Sequence, residues 1–366
     1  MVYIHELTEW PNLKWDEGRL AGSLAALRFA QGRLLGRMES MGFPLRNEAN
    51  LTTLTRDVVK SSAIEGERLD AAEVRSSIAR RLGMDEGRDH PASREVEGVV
   101  EMMLDATQNH TRPLTGERLF SWHAVLFPTG RSGMRRLVTG AWRTDAQGPM
   151  QVVSSPLGKE HVHFEAPPAD RLDGEMASFL EWFESPHAMD PILFAGLAHL
   201  RFLTIHPFED GNGRIARAIA DLILARAEGT ERRFYSLSGQ IERERKDYYL
   251  QLERAQRGDL DVTAWLEWFL GCLGRAIHSA GETLAAVMRK AETWDLANRH
   301  PVNERQTVVL NRLLDGFRGQ LTTSKYAKLA KCSEDTALRD IRLLCDWGVL
   351  ARNPAGGRST SYALAG

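Results

Sequence analysis

Along most of the chain, apolar residues recur at the 3.6-residue spacing of a helix with one buried face. Between 16 and 41 the stripe is Leu20, Leu24, Leu27 and Leu34, set among Ala and Arg. NLTTLTRDVVKSSAIE, 50–65, predicts a second helix that Gly66 stops. MDEGRDHPAS, 84–93, is polar with Gly and Pro and reads as a linker. Helices are expected at 94–109 and 115–126. The period then changes. MQVVSS and HVHFEA predict two strands joined by PLGKE and closed off by Pro167 and Pro168, a β-hairpin. Helical spacing resumes at 170–184, 190–205, 214–228, 242–256 and 261–289. ANRHPVN, 297–303, reads as a hinge, followed by a helix at 304–316. After it come TTSKYAKLA, a turn at KCS, the longer EDTALRDIRLLCDWG, and VLARNPAGGRSTSYAL. Helix, turn, helix and Gly-rich hairpin is the order of a winged helix-turn-helix. The expected fold is mainly α in three domains: 1–93, 94–296 and 297–366.

Composition narrows the function classes. A chain of 366 residues with 43% hydrophobic residues builds a sizeable core. A net charge of −2 argues against a wholly basic nucleic-acid binder. No apolar run reaches the roughly 18 residues of a membrane span, and the opening residues lack a basic stretch followed by an apolar one, so neither membrane span nor signal peptide is expected. Cys272, Cys332 and Cys345 form no CxxC pair, and an odd count suits reduced thiols, which places the expected location in the cytoplasm. From 321 to 366 seven Lys/Arg stand against four Asp/Glu. Arg339, Arg342, Arg352 and Arg358 suit DNA contact, while Asp340 and Asp346 interrupt the patch, so DNA and protein both stand as partners of this module.

The densest chemistry is HPFEDGNGRIAR, 206–217. Ile215, Ala218, Ile219, Leu222 and Ile223 form the apolar stripe of a helix starting near Arg214, and Arg214 and Arg217 share another of its faces. Two arginines at a helix amino end oppose its dipole by ~0.3–1 kcal/mol each, which makes sense when an anion sits between them. Gly211, Asn212 and Gly213 form a backbone cradle for that anion. Asp210 supplies a hard oxygen for Mg²⁺, which binds through one or two carboxylates plus substrate phosphates. His206 supplies a base near working pH. Pro207 and Phe208 are scaffold. Together these are the parts for phosphoryl or nucleotidyl transfer to a hydroxyl. His123, His163, His187 and His199 show no metal-ligand spacing, and His199 is read as supporting the helix that enters the loop.

The string resembles the Fic-family signature HPFxDGNGRxxR at every fixed position. GAWRTD, the hairpin and APP resemble that family's flap region, and AHLRFLTI its preceding helix, so the resemblance covers about 115–228. It implies a Fic-type helical core that transfers AMP from ATP to a Ser, Thr or Tyr hydroxyl of a target protein or of the chain itself. It also implies roles. His206 deprotonates the hydroxyl and Asp210 holds Mg²⁺. Gly211, Asn212 and Gly213 position phosphates through backbone groups and the Asn amide. Arg214 contacts the phosphate chain, Arg217 pairs with the γ-phosphate, and Glu209 has no catalytic part. SSAIEG resembles the family's inhibitory motif, Ser/Thr-x-x-x-Glu-Gly/Asn. Ser61, Glu65 and Gly66 then form a brake in which Glu65 competes with ATP for Arg217. The resemblance further implies Tyr248 and Tyr249 beside the adenine, a hairpin at 149–165 that receives a target strand, and a homodimer. An ATP-sensing DNA-binding regulator, and removal of AMP with Glu65 orienting a water, stand as alternatives.

Overall fold

The computed structural model describes residues 2–84, 91–154, 161–314, 317, 319–354 and 360–365. Two compact units divide the chain, Met1–Ala280 and Gly281–Gly366. The boundary falls inside a long helix rather than at 297–303, and the first unit takes in the whole of 1–93.

The first unit opens with a 3₁₀ turn at Ile4–Glu6 and continues through α1 (Glu17–Glu39), α2 (Phe43–Ile64), α3 (Ala71–Arg81), α4 (Arg94–Gln108) and α5 (Gly116–Leu126). Two short hairpins follow, β1 (Arg131–Ser132) with β2 (Arg135–Arg136), and β3 (Gln151–Ser154) with β4 (His161–Glu165). Then come α6 (Leu172–Glu184), α7 (Pro191–Ile205), α8 (Asn212–Glu228), α9 (Leu237–Arg243), α10 (Arg245–Arg257) and the first part of α11 (Thr263–Ala297), which continues past Ala280 into the second unit. At the centre lies α7, mostly apolar and buried from Ile192 to Ile205, as a helix wrapped by others must be. Asp190 caps it by accepting from the Ile192 N–H, with Pro191 in the first turn. α8 packs along α7; α2 packs on α9 and α3, and α4 on α5 and α8. This arrangement brings the carboxyl end of α2 to the amino end of α8.

The second hairpin forms where the valines predict it, antiparallel, with a bulge between Val152 and Val153. Its turn, PLGKE, lies outside the described residues, as does most of the 84–93 linker. Three differences from expectation have local causes. α3 is additional: it buries Ser76 and Ser77 beside Val74 and Ile78, so its inner face carries little apolar signal. The β1–β2 hairpin is too short for a period. Glu244 separates α9 from α10 where one helix at 242–256 was expected.

The second unit contains α12 (Glu304–Leu314), α13 (Thr323–Ala330), α14 (Glu334–Asp346), and β5 (Leu350–Arg352) antiparallel to β6 (Tyr362–Leu364). Leu310, Tyr326, Ile341 and Leu344 form its core. Asp340 does not interrupt a surface patch: it is buried, and accepts from Arg305 Nε at 3.0 Å and Asn303 Nδ2 at 3.2 Å. Among the described residues no helix is long and apolar enough to cross a membrane.

Candidate active site

α7 ends by turning His206 into the left-handed region, φ 51° and ψ 60°, while its N–H still donates to the Phe202 carbonyl. A non-glycine residue there is held by its surroundings. Phe208 anchors the loop below, fully buried and stacked on His123 with ring centroids 4.2 Å apart. Asn212 closes the loop on itself. Its Nδ2 donates to the Phe208 carbonyl at 2.7 Å, and its Oδ1 accepts from the Phe208 N–H at 3.0 Å. One of its two amide hydrogens and its amide oxygen thus serve the loop itself. α8 starts at Asn212, two residues before the expected Arg214. No side chain caps its amino end, so its first N–H groups stay open to an anion. Gly211, φ 80°, is required by its backbone and by space, since a Cβ there would meet Phe127 at 2.9 Å, and a Cβ on Gly213 would meet Glu65 Oε1 at 2.1 Å and displace that carboxylate.

His206 Nδ1 lies 3.3 Å from the Leu203 carbonyl oxygen. A carbonyl only accepts, so Nδ1 carries the proton and Nε2 is left as the base. Burial lowers the imidazole pKa to about 4; Arg143 acts the same way, against the Leu203 carbonyl, Glu65 and Asp210. The ring is therefore neutral at pH 7. Asp210 sits across the loop, its Oδ1 accepting from the Gly211 N–H at 2.6 Å and its Oδ2 from Ser132 Oγ at 2.5 Å. Each oxygen keeps a lone pair. Among the described residues no three His, Cys, Asp or Glu gather as a metal site. One carboxylate with free lone pairs beside an anion cradle suits Mg²⁺ bound together with phosphates.

Both arginines are buried and both are occupied. Arg217 Nη2 donates to Glu65 Oε1 at 2.7 Å and to the Ser61 carbonyl at 2.9 Å, and its Nε donates to Ser61 Oγ at 2.9 Å. Its Nη1 has no hydrogen-bond partner among the described residues. Burial opposes the Arg217 charge, and Glu65 together with Tyr248 and Tyr249 more than restores it. Arg214, stacked over the Phe127 ring at 5.1 Å, donates from Nη1 to Glu67 Oε2 at 2.5 Å. Glu67 escaped the sequence reading. Glu65 caps α2, Gly66 reverses the chain at φ 89°, and the Glu67 N–H donates to the Ser62 carbonyl. That turn aims two carboxylates at α8.

Tyr248 and Tyr249 separate. Tyr248 is buried, its hydroxyl 2.9 Å from His199 Nε2, while His199 Nδ1 reaches the Ala216 carbonyl. The first tyrosine therefore braces α7, α8 and α10, as does His199. Tyr249 is 38% exposed, and its hydroxyl donates to the Ile64 carbonyl at 3.3 Å. Glu209 accepts from the Val138 N–H at 2.9 Å and holds the segment after β2. Arg143 also went unforeseen as a loop contact: its Nε donates to the His206 carbonyl at 2.8 Å.

The Fic/DOC family pattern matches residues 113–224, and a domain of unknown function, DUF4172, matches 3–84. A protein adenylyltransferase Fic of Nematostella vectensis is 37% identical over 143 residues, 38% of this chain and 32% of that protein. A uridine 5'-monophosphate transferase of Xanthomonas campestris pv. campestris (strain 8004) is 30% identical over 148 residues, 38% of this chain and 26% of that one. The matches thus span about a third or less of these curated relatives. The crystal structure of a Fic family protein from Desulfovibrio desulfuricans G20 shares the fold, with a TM-score of 0.53 at 24% identity over 94% of this chain and 96% of that one. Fic-1 (aa134–508) from C. elegans gives 0.50 at 20% identity, covering 74% of each chain.

Proposed function

We propose that this Fic/DOC family protein with an N-terminal DUF4172 domain transfers AMP from ATP to a protein hydroxyl, and that the turn after α2 restrains it. The observation that carries the reading is the pair of buried arginines at the uncapped amino end of α8, each facing a carboxylate of that turn. Buried arginines beside open N–H groups form a polyanion site, and carboxylates lying on them stand where phosphates would.

In this reading Arg217 and Arg214 take the outer phosphates and the N–H groups after Gly211 take the inner ones. His206 Nε2 accepts the proton of the incoming hydroxyl. The oxygen bonds to the α-phosphorus as the bond to pyrophosphate breaks, and the electron pair leaves with pyrophosphate. Asp210 would hold Mg²⁺, which supplies charge neutralisation to the phosphates. The bulge-bearing hairpin β3–β4 offers the acceptor segment an edge strand. Glu65, by holding Arg217, keeps the triphosphate from its reactive alignment. The segment 297–366 we read as a winged helix-turn-helix, with Arg339 and Arg342 exposed on α14 for a DNA or protein partner.

Glu65→Gly incubated with ATP or UTP labelled on the α-phosphate tests the reading. We expect label on protein from ATP at least ~10-fold above wild type, and a loss of about 10²–10⁴-fold on adding His206→Ala. Label from UTP alone would change the donor, and absence of label from both would reject transfer. Loss of AMP from pre-labelled protein would point to removal instead.

A further inference from the structure

We infer that Arg143 is the positioning residue that sets His206 and the exit of the β3–β4 flap in one fixed frame. The inference rests on His206 being the base. Arg143 lies between β2 and β3, far from α7 and α8 in sequence, and is 3% exposed. Four contacts surround it. Its N–H donates to the Pro207 carbonyl at 2.9 Å. Its Nε donates to the His206 carbonyl at 2.8 Å, its Nη2 to the Pro167 carbonyl at 2.6 Å, and its Nη1 to Asp145 Oδ1 at 2.9 Å. Asp145 Oδ2 in turn accepts from the Ala169 N–H at 2.6 Å.

Each contact has a reason. His206 leaves α7 in a left-handed conformation, so its carbonyl and that of Pro207 point away from the helix ladder and need partners elsewhere. Arg143 provides both. Without them the loop has other ways to satisfy these oxygens, and the imidazole would move with the backbone. At its other end the same planar group grips Pro167, two residues past the last residue of β4, Glu165. Base and flap exit are thus fixed to one rigid guanidinium. Lysine has a single point of attachment and cannot hold three acceptors in one plane. Arg143 makes no contact among these with Arg214, Arg217 or the amino end of α8, so the phosphate cradle is built without it.

The consequence is a split between chemistry and nucleotide binding. A misplacement near 1 Å reduces a rate by about 10²-fold. Arg143→Lys and Arg143→Gln are compared in the Glu65→Gly background, measuring kcat, KM for ATP, ATP binding by calorimetry, and thermal melting. The expected result is a ~10²-fold lower kcat in both variants, with KM and ATP binding within about threefold of the parent and a cooperative melt. Variants that label at the parental rate would overturn the inference alone. Equal losses in kcat and ATP binding, or two variants that fail to fold, would also overturn it, since Arg143 would then support the fold at large. A Glu65→Gly parent that never labels would reject the transfer reading and this inference with it.

Discussion

His123 lies flat beneath the loop between α7 and α8, its ring plane 7° from that of Phe208. It is fully buried, and among the described residues neither ring nitrogen has a well-formed hydrogen bond. Burial lowers its pKa to about 4, with Arg214 acting the same way, against a weak hydrogen bond to the Asp210 backbone and the Asp210 charge. The imidazole is a liability for stability. Desolvating an unsatisfied polar group costs about 1–3 kcal/mol. The folded pKa also lies below the unfolded value, so as pH falls from 6.5 to about 4 the unfolded chain takes up a proton that the folded one refuses. The stability present above 6.5 is lost across that window, at up to ~1.4 kcal/mol per pH unit. His123→Phe keeps the stack and removes both nitrogens. It should raise the melting temperature and reduce the pH slope by one proton, leaving transfer within a few-fold. Urea titrations at pH 7, 6 and 5 check this; an unchanged slope would show that the ring is already protonated, or satisfied, in the folded protein.

At the scale of elements, the turn after α2 meets α8 through two carboxylates of unequal burial. The Glu65 side chain is 28% exposed and faces a wholly buried guanidinium, whereas Glu67 is 43% exposed. Burial raises the Glu67 pKa despite Arg214, with Asp210 and Glu65 adding to the effect. A half-exposed ion pair is worth at most ~1 kcal/mol. Glu67→Ala should therefore lower KM for ATP by only about 2–5-fold, well short of the response to Glu65→Gly. The double variant should be non-additive, because in the proposed reading both carboxylates oppose one polyanion. Labelling rates across an ATP series decide it; an unchanged KM would mean that Arg214 is not an ATP contact. This element also marks the reach of the sequence. Ser61 and Glu65 are legible through the resemblance of SSAIEG to the inhibitory motif, since their spacing alone fits any solvated glutamate, and His206 to Arg217 because they are contiguous. Glu67 meets Arg214 across 147 positions, Ser132 meets Asp210 across 78, and Arg143 meets His206 across 63. No local period encodes such pairs; only the packing of α2, the loops and α7–α8 creates them. Tyr248 and Tyr249 divide for the opposite reason: neighbours on a helix point about 100° apart, so a helix on a core buries one and exposes the other.

At the scale of the whole molecule, α11 runs through the boundary at Ala280, yet each unit owns a core. That of Gly281–Gly366 gathers Val309, Leu310, Leu321, Tyr326, Ile341, Leu344 and Val349, together with Ala297 at the end of α11. Helix periodicity predicted these elements well, since α14 alternates buried Ala337, Ile341 and Leu344 with exposed arginines. It could not predict where cooperativity divides, because a continuous helix carries no mark in its sequence of which core its residues join. Separate cores imply separate unfolding steps. Leu344 is fully buried, and truncating such a leucine removes about 2–5 kcal/mol through lost transfer energy and a cavity. For a unit of this size, each kcal/mol corresponds to roughly 4–8 °C. Leu344→Ala should therefore lower one calorimetric transition by ~10 °C or more and leave the other in place. It should also leave the proposed nucleotidyl transfer by the Glu65→Gly variant unchanged, because the residues assigned to that chemistry all belong to Met1–Ala280. Scanning calorimetry and α-phosphate labelling on the same preparation test both halves. If both transitions fall together, the two cores are one cooperative system and α11 is the element that couples them.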